Sequence, residues 1–370
     1  MSVNNNERFF GEFDYPDYNE WKSAAEKALK GAPFDKLMYN QTYEGITLKP
    51  IYNPNDLENL KHISDEFPGF LNYERHSEVT GYFKEDWEIA QNIPYPLPEH
   101  FNEAIKNDLA NGQNSVKISF DRASALYEDF IIDDLSGYDT IIANLEHLEI
   151  ALNEVELDNF NLNIHCGTGA FSASAALFAL LKRKGYGYRN IKGSLNYDII
   201  SDLVNDGQLN IDTNSLLDEL SILTKWTAKN APNFKSILIN SSSCHNAGAN
   251  AVQELACSLS SAVFIINGLL ERGCSINDIA KNFVFNYSVG VNFFVEIAKL
   301  RAARLLWSKI LLEYGADAEN CKMYLSTETS YRDTTYYDVY VNLLRSTSET
   351  FASIMGGSNS ITVRNFDELH

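Results

Sequence analysis

The sequence predicts an α/β protein: a (β/α)8 barrel of the TIM type, preceded by an extended N-terminal arm that carries a helix. From about residue 115 onward, short β-rich segments alternate with amphipathic helical segments, which is the pattern of parallel β/α units. The sequence contains eight such β segments, and eight units are the number that closes a barrel. An open doubly wound sheet built from the same units is the alternative.

The first 60 residues are typical of an arm rather than of a domain. A helix is predicted from Asn19 to Lys30, because Trp and Ala side chains recur there at helical spacing and Gly31 supplies a stop. The segment YEGITLKPIYNPND (43–56) reads as extended, with Pro and Asn punctuation. Such a chain buries little surface by itself, so we expect residues 1–60 to wrap either the barrel of residues 61–370 or a partner.

The remaining chain supplies the strands and helices of the predicted barrel. The strand candidates are VKISF (116–120), DFIID (129–133), LNIHC (162–166), IKGSLNY (191–197), SILINSS (236–242), FVFNYSVG (283–290), KMYLST (322–327) and SITVRN (360–365). The clearest helices between them are SASAALFALLKRKG (172–185), ANAVQELACSLSSAVFIINGLLERG (249–273) and VEIAKLRAARLLWSKILLEYG (295–315).

The overall composition restricts the class of partner. The chain has 30 basic and 50 acidic residues, a net charge of −20, which argues against nucleic-acid binding and against a polybasic membrane surface. Its five cysteines are dispersed, as in a reducing compartment. Neither a secretory signal nor an uninterrupted apolar run long enough to span a membrane is apparent. We therefore expect a cytoplasmic protein without membrane or nucleic-acid partners.

The segment SSSCHNAGA (241–249) raises the question of nucleophilic chemistry, because Cys244 stands beside His245. Adjacent residues of a strand point to opposite faces, so the two side chains meet only if the strand has already ended. No third residue that would orient the histidine is apparent. The alternative interpretation is a small buried thiol beside a polar histidine.

Two further hypotheses concern bound ions. His165 and His245 lie at the ends of predicted strands and would form a metal site only if those strands were neighbours, since no H-x-x-x-H or H-E-x-x-H pair exists. GTGAFSASAA (167–176) offers free N–H groups for a phosphate but lacks the third glycine of a dinucleotide fingerprint and the Lys of a P-loop. Packing explains the same segment equally well, because small residues let a helix turn back closely on its strand.

Two other features are interpreted structurally. RAARLLW (301–307) is typical of a helix that packs on the barrel, with Arg301 and Arg304 paired to carboxylates. The tyrosines of YRDTTYYDVY (331–340) are expected to line a helix or an interface.

Motifs along nearly the whole chain resemble the methylmalonyl-CoA mutase family, in the order in which they occur there. They are W-x-x-x-A (21–25), YEGI-x-x-x-P-x-Y (43–52), W-x-I-x-Q (87–91), G-S-L-N-Y-D (193–198), AGA-x-x-x-x-E-L-A (247–256), G-V-N-F-F-x-E-x-A-K-x-R-A-A-R-L-L-W (290–307), T-S…D-x-x-x-N-x-x-R-x-T-x-E (329–349) and G-G-x-x-S…D-E (356–368). The stretch 290–307 is the most specific, and GSLNYD with NAGAN is most similar to the family's small, non-catalytic subunit.

The resemblance implies a (β/α)8 barrel through whose axis acyl-CoA threads. It also implies a C-terminal flavodoxin-like domain that holds adenosylcobalamin through the histidine of D-x-H-x-x-G. This sequence contains no D-x-H-x-x-G, and in SCHNAG (243–248) Ser replaces the Asp that would fix the tautomer of a metal-bound imidazole. We therefore expect that this chain alone binds no cofactor, and that adenosylcobalamin enters a complex through the large subunit.

The resemblance also places the family's reacting residues, and this sequence departs from them. The Tyr, His and Glu of Y-H-x-x-E-A-G-A fall on Ser242, Ser243 and Asn246. The Gln of G-T-I-Q-N-D falls on Asn196, and an Arg ten residues further on falls on Asp206. Short hydroxyls and a carboxylate thus stand where a thioester carbonyl and a substrate anion need oriented donors and cations.

The motif Y-x-x-R-P-W-T-I-R-Q-Y shows the same loss. Its two arginines fall on Glu85 and Ala90, and its last tyrosine falls on Asn92. The retained frame consists of Tyr82, Trp87 and Gln91, with Ile89 between the last two. An Arg replaced by Glu changes attraction of an anion into repulsion.

The sequence therefore predicts a non-catalytic small subunit that stabilises the large catalytic subunit of a heterodimeric mutase, without catalytic, cofactor-binding or metal residues of its own. A barrel-only acyl-CoA mutase core that works with a separate cobalamin-binding chain is the alternative. A third interpretation is an assembly protein that acts on another family member.

Overall fold

The structure is a computed structural model that describes residues 17–60, 67–126 and 139–370, and the chain divides into two compact units, 1–65 and 66–370. The elements of the first unit are helix α1 (Tyr18–Ala28), helix α2 (Phe34–Met38), an antiparallel pair of short strands (Asn40–Gln41 with Thr47–Leu48) and a 3-10 turn (Pro54–Leu60). The predicted first helix is therefore present, and Gly31 follows it in the left-handed region at φ +91°. The segment expected to be extended is partly a hairpin strand and partly a 3-10 turn.

The second unit contains a sheet of eight parallel strands. They are β1 (Glu88–Ile89), β2 (Ser115–Ser119), β3 (Asn161–His165), β4 (Gly193–Tyr197), β5 (Phe234–Asn240), β6 (Phe283–Val289), β7 (Leu325–Thr329) and β8 (Ser360–Thr362). The hydrogen-bonded order is β1-β8-β7-β6-β5-β4-β3-β2, so β1 pairs with the last strand and the direction never reverses. This order belongs to a (β/α)8 barrel, which confirms the predicted fold and makes the doubly wound alternative wrong.

The seam between β1 and β2 is bridged by the side chain of Asn114. Ile89 N donates to Asn114 Oδ1 at 2.6 Å, and Asn114 Nδ2 donates to the carbonyl oxygen of Trp87 at 3.1 Å. One amide side chain thus satisfies a donor and an acceptor of the edge strand, as a neighbouring strand would. The barrel is nearly closed by backbone pairing and is completed by this side chain.

The first strand was missed by the sequence analysis. Its ladder to β8 pairs Glu88 and Ile89 with Ser360 and Ile361, so its periodicity is too short to recognise from sequence. The second predicted strand, DFIID (129–133), lies outside the described residues. SILINSS was placed too far along the chain, because β5 ends at Asn240 and a helical turn starts at Ser242.

Helices cover the outside of the sheet. They are α3 (Pro98–Ala110), α4 (Arg122–Leu126), α5 (Leu145–Ala151), α6 (Ala170–Lys184), α7 (Ile199–Asp206), α8 (Thr213–Asn230), α9 (Ser242–Asn246), α10 (Ala251–Glu271), α11 (Ile276–Lys281), α12 (Phe293–Glu313) and α13 (Val341–Met355). The three longest predicted helices correspond to α6, α10 and α12. Trp307 of α12 is fully buried, with its ring 4.9 Å from Phe283 and 4.7 Å from Phe285 of β6, so an aromatic cluster fastens α12 to the sheet.

One helix corrects the expectation that no segment is long and apolar enough to span a membrane. By length and composition, α10 is such a segment, although half of its most apolar stretch is buried inside the protein. It packs against α12, α8 and β5 as a covering helix of the barrel. Core helices of this kind satisfy the same criterion as membrane spans, so this is weak evidence for a membrane.

Candidate functional site

The axis of the barrel is filled by side chains. The void left along it has a volume of about 10 Å³, which is room for about one water molecule. Its lining residues are Ala90, Lys117, Asn163, His165, Ser194, Asn196, Leu238, Val284, Asn286, Tyr324, Ser326, Ser360 and Thr362. Most of these side chains are polar, whereas barrel interiors are usually filled by branched apolar residues.

At the amino end of the strands, the interior is organised around the carboxylate of Glu88. It accepts hydrogen bonds from Tyr324, from Asn161 at 2.5 Å, from Asn163 at 3.2 Å and from Ser115 at 3.2 Å. Burial raises the pKa of Glu88 above its ordinary value, although these donors oppose the shift. The network closes this end of the axis.

Nearer the carboxyl ends of the strands, Asn196 Nδ2 donates to Nε2 of His165 at 2.9 Å, and Lys117 Nζ donates to Thr362 Oγ1 at 3.1 Å. Burial lowers the pKa of His165 well below its ordinary value, and it lowers the pKa of Lys117 to about 8. The imidazole is therefore neutral at pH 7, whereas the ammonium is mostly charged.

A larger cavity opens at the mouth of the barrel, beyond the carboxyl ends of β1, β2 and β8. Its volume is about 330 Å³, and it is lined by Gln91, Asn92, Ile93, Pro94, Lys117, Ser119, Asp139, Arg364, Asn365 and Glu368. This is the face at which TIM barrels place their ligands. Lys117 is shared with the axial void, so the mouth cavity ends where the filled axis begins.

A second concentration of charge lies between the barrel and the helices α10 and α12. Lys299 Nζ is 2.6 Å from Glu254 Oε2 and 2.6 Å from Glu296 Oε2, and all three side chains are buried. Burial would raise the pKa of Glu254, but Lys299 and then His245 hold it below its ordinary value. Two carboxylates sharing one ammonium give a buried cluster whose charges depend on one another.

Comparison with known proteins identifies the family. The sequence model described as methylmalonyl-CoA mutase matches residues 41–370. This chain belongs to that family.

The matching relatives are longer proteins. The chain is 29% identical to the methylmalonyl-CoA mutase of Cereibacter sphaeroides over 357 residues, which cover 95% of this chain and 50% of that protein. It is 27% identical to the enzyme of Escherichia coli over 356 residues, covering 94% and 50%. It is 29% identical to the methylmalonyl-CoA mutase small subunit of Porphyromonas gingivalis over 368 residues, covering 98% and 55%. The chain thus spans about half the length of the curated relatives that it matches.

The positions at which the sequence analysis placed the family's reacting residues do not share one pocket here. Asn196 and Ala90 line the filled axis, and Asn92 lines the mouth cavity. Ser243 donates to Asn205 Oδ1 at 2.6 Å, outside both cavities. The remaining four positions line neither cavity. Ser242 begins α9, and Asn246 and Glu85 are exposed. Asp206 forms an ion pair with Arg122 at 3.2 Å.

The retained frame joins the residues around β1 to the last strand. Tyr82 Oη donates to the carbonyl oxygen of Ser358 at 2.6 Å, and its ring meets Trp87 edge-on at 5.3 Å. Gln91 Nε2 donates to the carbonyl oxygen of Val363 at 2.7 Å. These contacts hold the residues on either side of β1 against those on either side of β8.

Cys244 and His245 do not form a nucleophile pair. Both lie on α9 rather than on a strand, and the His245 side chain turns toward Ser330 Oγ, 2.8 Å from Nε2, and toward Glu254 Oε2, 3.6 Å from Nδ1. Burial and a contact with Cys257 raise the pKa of Cys244 to about 11, so its thiolate is scarce at neutral pH. The order Ser330–His245–Glu254 resembles a hydrolase triad, but Ser330 is only 3% exposed, so no acyl carbonyl reaches it.

The remaining ion-binding hypotheses are not supported. Within the described ranges, no three His, Cys, Asp or Glu side chains are grouped to hold a metal, and His165 and His245 have different partners. His245 also does not fit as a cobalt ligand, since it is 2% exposed and its Nε2 already bonds Ser330. In the glycine turn, Thr168 N donates to Asp202 Oδ2 at 2.8 Å, so a carboxylate occupies the place of a phosphate.

Arg304 corrects the expectation that the arginines of α12 pair with carboxylates. It is fully buried and donates to the carbonyl oxygens of Tyr73 and Glu74, each at 2.8 Å, and of Gly357 at 3.4 Å. Burial lowers the pKa of Arg304 to about 10. The tyrosines of 331–340 lie in the connection between β7 and α13, not on a helix, and Tyr337 is almost fully exposed.

Lys117 and Lys299 were missed by the sequence analysis, although a signal existed. Lys117 is the one charged residue in the apolar strand VKISF, and Lys299 falls on the same helical face as Glu296, three residues earlier. A lysine at a predicted core position implies either a buried partner or a ligand, because an unpaired ammonium is costly to bury.

Proposed function

We propose that this chain is the non-catalytic small subunit of a heterodimeric methylmalonyl-CoA mutase. In that complex the large subunit would bind adenosylcobalamin and interconvert methylmalonyl-CoA and succinyl-CoA. The observation that carries the proposal is the filled barrel axis. An acyl-CoA that threads through a barrel needs an open channel along its whole length, and a void of about 10 Å³ admits about one water molecule.

The charges of the site support the same proposal. Positions that would hold an anionic substrate carry Glu85, Ala90 and Asp206, and Asp206 is itself engaged by Arg122. Without fixed cations, the CoA phosphates and a substrate carboxylate are neither bound tightly nor held in a defined orientation. The fold is thus kept while the groups that act on substrate are replaced.

The similarity to the Porphyromonas gingivalis small subunit, over 98% of this chain, supports a subunit role. Within that role, residues 1–60 would wrap the large subunit. Exposed apolar side chains in this arm, among them Tyr43, Ile46 and Leu57, are suited to contact with another chain. We place the complex in the cytoplasm, and the net charge of −20 disfavours nucleic acid as a partner.

The alternative is a barrel-only acyl-CoA mutase core that works with a separate cobalamin-binding chain. Two observations favour it: the mouth cavity of about 330 Å³, and an identity to the Cereibacter sphaeroides mutase as high as that to the small subunit, 29% in each case. It requires acyl-CoA to bind to this chain alone.

One experiment with two measurements separates the candidates. The full chain is mixed with the catalytic large subunit from its own source and sized by light scattering, and the isolated chain is titrated calorimetrically with succinyl-CoA. The small-subunit proposal predicts a 1:1 complex that is active with adenosylcobalamin, and no binding heat from the isolated chain. Two separate monomer peaks would overturn it, and saturable heat with succinyl-CoA would establish the alternative.

A further inference from the structure

We propose that the mouth cavity of this barrel binds a short-chain monocarboxylic acid, with the ammonium of Lys117 as the cation that pairs with the carboxylate. Nothing in the proposed subunit role requires such a ligand. The cavity has a volume of about 330 Å³, at the low end of the range for small-molecule sites. The proposal rests on which polar groups of its wall are already engaged and which are free.

Lys117 supplies an ammonium that is only partly engaged, since the carboxylates of Glu328 and Asp139 act on its charge without forming a close ion pair with it. An ammonium has three donors, and one of them is used by Thr362 Oγ1 at 3.1 Å. Among the residues that the structure describes, Lys117 makes no ion pair, in contrast to Lys299 with its two carboxylates. Two donors of a charged group therefore remain for a ligand at the floor of the cavity.

The second cation of the wall is already neutralised. Arg364 Nη1 bonds Glu368 Oε1 at 2.7 Å, and Nη2 lies 3.4 Å from Glu328 Oε2. The cavity is also lined by Asp139. The ammonium of Lys117 can thus hold one carboxylate through its two open donors, while the surrounding carboxylates disfavour a phosphate dianion or the phosphates of CoA.

Two further donors lie beside Lys117. Ser119 is two residues along β2, so it faces the same inner side of the barrel as Lys117. The amide of Asn92 and the hydroxyl of Ser119 make no side-chain hydrogen bond within the described part of the chain. A carboxylate has about four acceptor positions, which the ammonium, the hydroxyl and the amide can fill together.

The shape of the site limits the length of the ligand. Ile93 and Pro94 provide apolar wall for a few methylene groups. Beneath Lys117 the axis is filled, so a long acyl chain has no continuation into the barrel. The structure thus assigns the site to free carboxylic acids of roughly three to six carbons, the size that a small apolar-walled pocket encloses.

The test is calorimetric titration of the full chain with sodium butanoate at pH 7, with butanamide and inorganic phosphate as comparison ligands. Butanoate is expected to bind with a dissociation constant in the millimolar range, while butanamide and phosphate give no saturable heat. Lys117→Met is expected to weaken butanoate binding by about tenfold or more. Binding of butanoate does not depend on any partner chain, so its outcome is independent of the subunit proposal.

The matched control is Lys235→Met. Lys235 is another lysine near the barrel interior, at the amino end of β5; its Nζ donates to the carbonyl oxygen of Lys281 at 2.9 Å, and burial lowers its pKa to about 8 as well. This variant loses a comparable ammonium away from the mouth and is expected to keep wild-type affinity. If Lys117→Met does not fold, Asn92→Leu removes a donor at the rim and is expected to weaken butanoate at least threefold. The proposal is wrong if wild-type does not bind butanoate, if butanamide or phosphate binds equally well, or if the Lys117 and Lys235 variants behave alike.

Discussion

Individual buried carboxylates of this barrel differ in how fully their oxygens are paired with cations or hydrogen-bond donors. Glu254 lies against Lys299 and is held ionised, whereas Glu349 of α13 is 2% exposed and has one engaged oxygen, which accepts from Ser330 N at 3.2 Å. The other oxygen, Oε1, has no hydrogen-bond partner within the described residues. Burial, together with the nearby Asp333, raises the pKa of Glu349 to about 8. A protonated carboxyl group suits this half-satisfied site.

Glu349→Gln is therefore expected to change the pH dependence of stability. Between the ordinary pKa of 4.5 and the folded pKa of about 8, the unfolded chain releases this proton and the folded chain keeps it, so wild-type stability falls as pH rises. Glutamine copies the protonated acid and removes that loss. We expect wild-type and variant to be nearly equal at pH 4.5, and the variant to be more stable by roughly 2–4 kcal/mol at pH 8 in urea unfolding.

Glu313→Gln is the control, because Glu313 is exposed at the end of α12. It is expected to leave the difference from wild-type constant between the two pH values. If Glu349→Gln shows an equally constant difference, the Glu349 carboxyl is ionised in the folded protein and our interpretation of its environment is wrong.

At the scale of elements, α12 joins several parts of the barrel. Its Lys299 reaches Glu254 on α10 and the carbonyl oxygen of Ser288 on β6, each at 2.6 Å. Arg304 reaches the segment before β1 and the turn before β8. Gly357 allows that approach: it adopts φ +82°, and a Cβ there would lie 3.2 Å from the guanidinium nitrogens.

Lys299→Met is expected to destabilise the protein by about 3–5 kcal/mol, because it leaves the carboxylates of Glu254 and Glu296 buried without their ammonium. Lys309→Met, at an exposed position of the same helix, is expected to remain within about 0.5 kcal/mol of wild-type. Both values come from urea unfolding at pH 7. A loss below 1 kcal/mol for Lys299→Met would mean that the cluster is solvated or protonated.

The helices and strands also show which features of the fold can be predicted from the sequence. Long periodic segments such as α10 and α12 were predicted within two residues at each end, because local periodicity defines them. β1 was missed because two paired residues carry no periodicity, and its role depends on β8, some 270 residues away. For the same reason the partners of Arg304 were predicted wrongly: backbone carbonyls brought close by barrel closure leave no pattern in the sequence.

The candidate site, like the fold, could be predicted from the sequence only in part. Motif alignment matched Ala90, Asn92 and Asn196 to reacting residues of the family; in the structure Ala90 and Asn196 line the axial void, and Asn92 lines the mouth cavity. That the axis is filled depends on how Lys117, Tyr324 and Asn163 pack against one another from different strands. Such packing is a property of the closed sheet and not of any segment.

For the whole molecule, closure of the barrel decides whether there is a channel, and closure depends on one seam. β1 and β2 stand at the two ends of the hydrogen-bonded order, and the Asn114 side chain bonds the backbone on the β1 side through Ile89 N and the Trp87 carbonyl oxygen. The Glu88 network lies directly inside this seam, since Ser115 of β2 donates to Glu88 of β1 at 3.2 Å. A looser seam would therefore expose a buried carboxylate.

Asn114→Ala is expected to loosen this seam without unfolding the barrel. Loss of two hydrogen bonds that hold a short edge strand corresponds to about 1–2 kcal/mol, so hydrogen exchange at the Ile89 amide is expected to accelerate roughly 5- to 30-fold. Exchange in β5 and β6, which are paired on both sides, is expected to stay unchanged. Asn107→Ala, at an exposed position of α3, controls for loss of an asparagine and is expected to leave Ile89 as in wild-type. Unchanged exchange at Ile89 in the Asn114 variant would mean that β1 is held by β8 alone and that the side-chain bridge contributes nothing to closure.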